Sequence, residues 1–95
     1  MTIRPANTYL SATLIETGLW HIERYLLQKY GSAQAARDME PLKWYIATGR
    51  ASTEFIWAIL TAKPFMIGRL LHKGGSVDEA IQRLKKYVGW EEESA

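Results

Sequence analysis

Apolar residues recur at steps of three and four along most of this chain, the period of helices that bury one face. Leu10, Leu14, Ile15, Leu19, Ile22 and Leu26 mark the first stripe. Asn7 or Thr8 stands where its N-cap belongs, and Tyr30-Gly31 where the helix stops. Gly18 lies inside it and weakens it slightly. Ser32 then reads as the cap of a short Ala-rich helix, AQAARDM, which must end before Pro41, because a residue preceding proline is steered out of the helical region. Pro41 opens a second short helix, PLKWYIAT, closed by Gly49. Neither piece is long enough to persist without packing on a neighbour.

The second half is more sharply punctuated. Ser52 caps a helix that ends at a tight Thr61-Ala62-Lys63 turn, Pro64 suits the first turn of the next, and Gly74-Gly75 stops it. Ser76-Val77-Asp78-Glu79 is a capping box, in which serine and glutamate satisfy each other's backbone donors. Behind it Val77, Ile81, Leu84 and Val88 form one stripe, with Gln82, Arg83, Lys85 and Lys86 to its sides. Gly89 ends that helix, and Trp90 is placed to fold back on its last turn. No run alternates long enough for a strand, and no repeat is present. The expected fold is all-α: a single bundle of five to six helices over residues 1–90, followed by a disordered acidic tail over 91–95.

Composition changes this picture in two ways. At 95 residues and 47% hydrophobic, with four Trp and five Tyr, the chain has enough apolar material for one small core. It has more large rings than such a core easily covers, since each needs ~150–250 Å² of partner surface, so some belong on the surface. The absence of cysteine excludes a disulfide framework, a zinc knuckle and a thiol nucleophile. No apolar run is long enough to span a bilayer, and the N-terminus lacks the continuous apolar stretch of a signal peptide, which makes the cytoplasm the default location.

The formal net charge is only +2, but it is unevenly distributed. Between Gly49 and Trp90, Arg50, Lys63, Arg69, Lys73, Arg83, Lys85 and Lys86 face Glu54, Asp78 and Glu79, and Glu91-Glu92-Glu93 then offset the excess. A basic half of this kind suits an anionic partner, because Lys and Arg contacts to phosphate release counterions. It is also what a solvated helix face looks like.

The segment STEFIWAILTAKPFMIGRLLHKGG, Ser52 to Gly75, resembles the helix-turn-helix superfamily over about a quarter of the chain. Ile56 and Leu60 fall where the first helix of that motif is buried, Ile67 and Leu70 where the recognition helix is, and Arg69 where a phosphate or base contact is common. The resemblance implies DNA binding. The motif also asks for a small residue after the Ile56 position, where Trp57 stands; shifting by one residue places Ala58 there but moves Gly68 into the buried slot of Ile67. The exposed recognition positions carry Phe65 and Met66, whereas base edges are read mainly by Arg, Lys, Asn and Gln. Upstream, Ala35-Ala36-Arg37 followed by Leu42, Lys43, Trp44, Tyr45, Ile46 and Thr48-Gly49-Arg50 resembles the recognition units of excisionase-type winged helices, with about four residues of turn missing and no strands for a wing. An αα-hairpin buried in a bundle accounts for the same residues.

Enzymatic signals are absent from the pattern. His21 and His72 have no second ligand at metal spacing, although Glu23 and Asp78 lie not far along the chain. His21 reads as a partly buried polar group and His72 as a cation suited to a helix C-terminus. The serines and threonines sit mostly at caps, without a His–acid partner. Gly74-Gly75-Ser76 precedes a helix and suits a weakly bound anion, but no Walker lysine follows. No catalytic residue, metal or cofactor is expected.

Two functions follow. One is a small DNA-binding regulator of transcription, a homodimer being one of its forms, contacting phosphates through Lys63, Arg69, Lys73, Arg83, Lys85 and Lys86. The other is a protein-interaction module (adaptor, inhibitor or assembly subunit) presenting Trp57, Phe65, Met66 and Trp90 to a protein partner or its own copy. Charge favours the first, because a basic half is more naturally matched by phosphate than by a neutral protein.

Overall fold

In the computed structural model, which describes residues 10–89, helix α1 (Ala12–Tyr30) starts behind Ser11, whose hydroxyl accepts from the Leu14 amide at 3.1 Å. The caps expected at Asn7 or Thr8 lie outside the described residues. Gly31, at φ +90°, closes α1 by donating its N–H to the Leu27 carbonyl at 3.0 Å. Its own carbonyl accepts from Ala35 and so opens α2 (Ser32–Ala47). One glycine serves both helices, which corrects the expectation that Ser32 is the cap: Ser32 is already the first helical residue.

The break expected before Pro41 does not occur either. α2 runs through it to Ala47. Proline removes the hydrogen bond to the Arg37 carbonyl, a defect of about 3 kcal/mol in a helix on its own. Arg37 is exposed, while Ala35, Asp38, Met39 and Leu42 are buried on one face spanning the defect. Tertiary burial on both sides of Pro41 outweighs the local steric preference.

The remaining punctuation holds as expected. Ser52 caps α3 (Thr53–Thr61), accepting from Phe55 N at 3.1 Å. Pro64 opens α4 (Pro64–His72) after the short turn at Ala62-Lys63. The capping box at α5 (Val77–Tyr87) is complete: Ser76 Oγ accepts from Glu79 N at 3.1 Å, and Glu79 Oε1 from Ser76 N at 2.9 Å. Gly49 and Gly89 have positive φ where helices end. Trp90 and the 91–95 tail lie outside the described residues.

The chain is therefore all-α, with no strand among the described residues. α1 is the hub: it packs on α2 and α4 most extensively and on α3 less, while α5 closes against α2 and α4. The core joins Leu19, Ile22 and Leu26 of α1 with Met39 and Leu42, Phe55 and Ile59, Ile67 and Leu71, and Ile81 and Leu84 from the other four helices. Of the predicted first stripe, Leu14 is exposed and Leu10 and Ile15 are half-buried.

Two glycines permit close helix crossings. A Cβ on Gly18 would collide with the Leu60 side chain, and one on Gly68 would lie 2.6 Å from Tyr25 Cδ2. The small residues of the Ser52–Gly75 segment and its surroundings are thus used where α3 and α4 meet α1. Trp57, which stands where the motif asks for a small residue, points to solvent, 43% exposed.

Candidate interaction surface on helices α1 and α4

α1 and α4 lie side by side in the same sense, and aromatic side chains mark both ends of their contact. At the C-terminal end the only buried charged residue among those described, Asp38, is 4% exposed. Its Oδ1 accepts from the Gln34 amide at 2.8 Å, one turn earlier on α2, and its Oδ2 lies 2.7 Å from His72 Nδ1. An ionised carboxylate has no proton to give, so Nδ1 is the donor, and the imidazole is held with Nε2 on its opposite edge. Tyr30 stacks flat on His72, with centroids 3.5 Å apart and planes 6° from parallel. Burial raises the Tyr30 phenol above its ordinary value near 10; the charge and hydrogen bond of Tyr25 and the charge of Asp38 add to that rise, and Arg69 opposes it. Both Asp38 oxygens are satisfied within the bundle, so this cluster ties α2 to α4 and α1.

At the N-terminal end the contact is open. Tyr25 meets Phe65 at 6.5 Å and Tyr30 edge-on at 6.5 Å, continuing the line of rings outward. Phe65 itself is 44% exposed. Beside it His21, Arg24, Tyr25, Gln28, Pro64 and Phe65 line a shallow groove of about 310 Å³. Trp20, 50% exposed, borders that groove through its edge contact with His21 at 5.5 Å, and the Arg24 guanidinium lies 5.4 Å from the centre of its ring. His21 is exposed rather than partly buried as expected, because it lies on the side of α1 opposite Leu19, Ile22 and Leu26.

The predicted basic residues divide among different surroundings. Lys63, Arg69 and Lys73 are exposed on α4 and at its two ends. Arg83 is half-buried and turned toward α4, donating Nε to the Leu70 carbonyl at 3.1 Å and Nη2 to that of Gly74 at 2.5 Å. It thereby adds a second donor to the Leu70 carbonyl, which also accepts from Lys73 N, and reaches the Gly74 carbonyl just past the end of α4. Lys85, two residues on, faces the other flank of α5, with Nζ 5.7 Å from the Tyr45 ring of α2. Lys86 is exposed. The structure does not gather these six cations onto one face. At the Gly74–Ser76 turn the chain itself engages two amides: Glu79 Oε1 accepts from Ser76 N and Ser76 Oγ from Glu79 N.

Of the predicted interface residues, Phe65 and Trp57 are exposed, Met66 is half-buried and Trp90 is outside the described residues. Trp57 is on α3 and makes no ring contact with Phe65. Sequence reasoning missed Asp38 and Gln34. The signal was present in the spacing Ala35, Asp38, Met39, Leu42, which places one acid on an apolar stripe, but the presumed break at Pro41 cut that stripe in two. Among the described residues there is no group of three or more potential metal ligands, and no helix long and apolar enough to cross a membrane.

Fold and surface together define a small all-α bundle that displays an aromatic and cationic face. No protein family, curated protein or solved structure matches the chain.

Proposed function

We propose that this protein is a helical protein-interaction module that binds its partner through the α1–α4 face. The observation that carries this reading is the preformed groove at Phe65, where two large rings, Phe65 and Trp20, remain exposed beside half-buried Tyr25. Exposed rings beside a concave surface are the usual anchors of protein interfaces. DNA binding is the second reading. It is favoured by Lys63, Arg69 and Lys73, exposed along α4, and weakened by Arg83 and Lys85 turning to opposite flanks of α5.

Selection from a random peptide library tests the first reading. Peptides are expected whose binding is lost on Phe65→Ser, in a variant whose circular dichroism matches the wild type. Failure to recover any Phe65-dependent peptide overturns it. A gel-shift titration on nonspecific duplex at two salt concentrations tests the second. Retardation that weakens with salt and falls when Arg69, Lys85 and Lys86 become Ala would restore DNA as the partner.

A further inference from the structure

Resting on the interaction reading, we infer that the groove at Phe65 receives an acidic segment of a partner protein, an apolar side chain seated against Phe65 and carboxylates on Arg24 and Arg69. The argument is charge complementarity. Among the described residues no carboxylate lines the groove. Arg24 is part of its wall, and Arg69 follows Phe65 by one turn on the same flank of α4. Among the described residues neither arginine is in an ion pair. The acids of α1 nearest the groove are not part of its lining: Glu23 turns to Lys43 of α2 at 3.4 Å, and Glu16 lies a turn before Trp20.

Two grooves beside Trp44 differ on this point. Arg37, Glu40, Pro41, Trp44 and Gly75 to Val77 line one, and Ala36, Arg37, Glu40, Lys43, Trp44 and Ala47 the other, so acid and base already share both walls. Placement of Arg24 over the Trp20 ring also matters. A guanidinium lying against an aromatic ring keeps its N–H edge free for a carboxylate and has lost part of its freedom before binding.

A single nucleic-acid strand is the competing occupant, because rings and arginines serve it too. It requires open ring faces and a track of cations. Here Tyr25 is engaged by both Tyr30 and Phe65, His21 meets Trp20 by an edge, and one face of Trp20 carries Arg24. Lys63 and Lys73 extend the cations along α4, but with the ring faces already engaged the groove matches an apolar anchor flanked by carboxylates better than stacked bases.

The test uses three labelled peptides with the same Leu and Phe anchors, whose remaining positions are all Glu, all Gln or all Lys, together with labelled oligo-dT, measured by fluorescence anisotropy. The Glu peptide is expected to bind about tenfold or more tighter than the Gln peptide, and the Lys peptide weakest. In wild-type protein, amide shifts on binding fall in residues 21–28 and 64–69. The double variant Arg24→Glu with Arg69→Glu, both exposed positions, is expected to reverse the order so that the Lys peptide binds best, an outcome that misfolding cannot produce. Equal affinity for the Glu and Gln peptides, shifts centred on Trp44, or tighter binding of oligo-dT overturns the inference. If the Gln peptide binds equally well and in a Phe65-dependent way, the acidic partner falls and the interaction module stands. If none of the three binds, both fall.

Discussion

The two ends of the α1–α4 contact are built from similar residues and do opposite things. At the C-terminal end, Tyr30, His72 and Asp38 close on one another, and every polar atom of the buried carboxylate is used. At the N-terminal end, Tyr25, Phe65, Arg24 and His21 surround a groove and leave their edges to solvent. The difference comes from what lies beneath. Asp38 is deeply buried, where an unpartnered carboxylate is costly, and His72 and Gln34 meet both of its oxygens. Among the described residues Asp38 is the only buried charge, so none sits under Phe65 to turn Arg24 or Arg69 inward. A paired end gives rigidity, and an open end on the same rigid helices gives a surface that changes little on binding.

The largest expected effect comes from breaking the closed end. His72→Ala leaves the Asp38 carboxylate buried with only the Gln34 amide, and should destabilise the fold by about 3 kcal/mol, the lower end of the range for an orphaned buried charge because water can follow into the vacated site. Phe65→Ala at the open end should cost about 1 kcal/mol or less. Urea unfolding of the two variants side by side measures the contrast, and equal losses would dissolve it.

An intermediate effect sharpens the role of the seam itself. Gly68→Ala pushes a methyl group to 2.6 Å from the Tyr25 ring, and should destabilise by about 1–2 kcal/mol through overpacking. Gly18→Ala meets only the Leu60 side-chain tip, which can rotate, and gains up to about 1 kcal/mol of helix propensity, so it should be close to neutral. Thermal unfolding of both variants checks the ordering.

The smallest effect is an alkaline one. Because the folded phenol of Tyr30 is raised above its ordinary value, the unfolded chain loses that proton first as pH climbs past about 10. The folded state then holds more protons than the unfolded state, and stability must fall with rising pH in that region. Tyr30→Phe should flatten this decline and leave neutral-pH stability nearly unchanged. Unfolding midpoints measured from pH 7 to 11 provide the readout.

Much of the helical layout was legible because it is local chemistry. Ser52, Pro64, Ser76 with Glu79, and the terminal glycines act within a few residues of themselves, and their helices appear where they indicate. The α5 stripe was legible for the same reason, with Ile81 and Leu84 buried and Lys86 outside. Pro41 misled because its rule is also local, whereas the forces holding α2 continuous come from Met39 and Leu42 packing on other helices.

The candidate site was legible only in part. Phe65 and Arg69, four residues apart on one helix, could be placed on one face by spacing alone. That Arg24 and His21, some forty residues earlier, complete the groove depends on the crossing of α1 and α4 at Gly68. Nor does spacing reveal that Arg83 is consumed by carbonyls at the end of α4 while Arg69 remains open. Helix type, capping and amphipathic faces follow from the order of residues, because their energies are set by neighbours three and four positions away. Which polar group is buried, which cation is used up and which aromatic stays exposed were decided by how the helices meet, because burial and charge pairing depend on groups distant in the chain and adjacent in space.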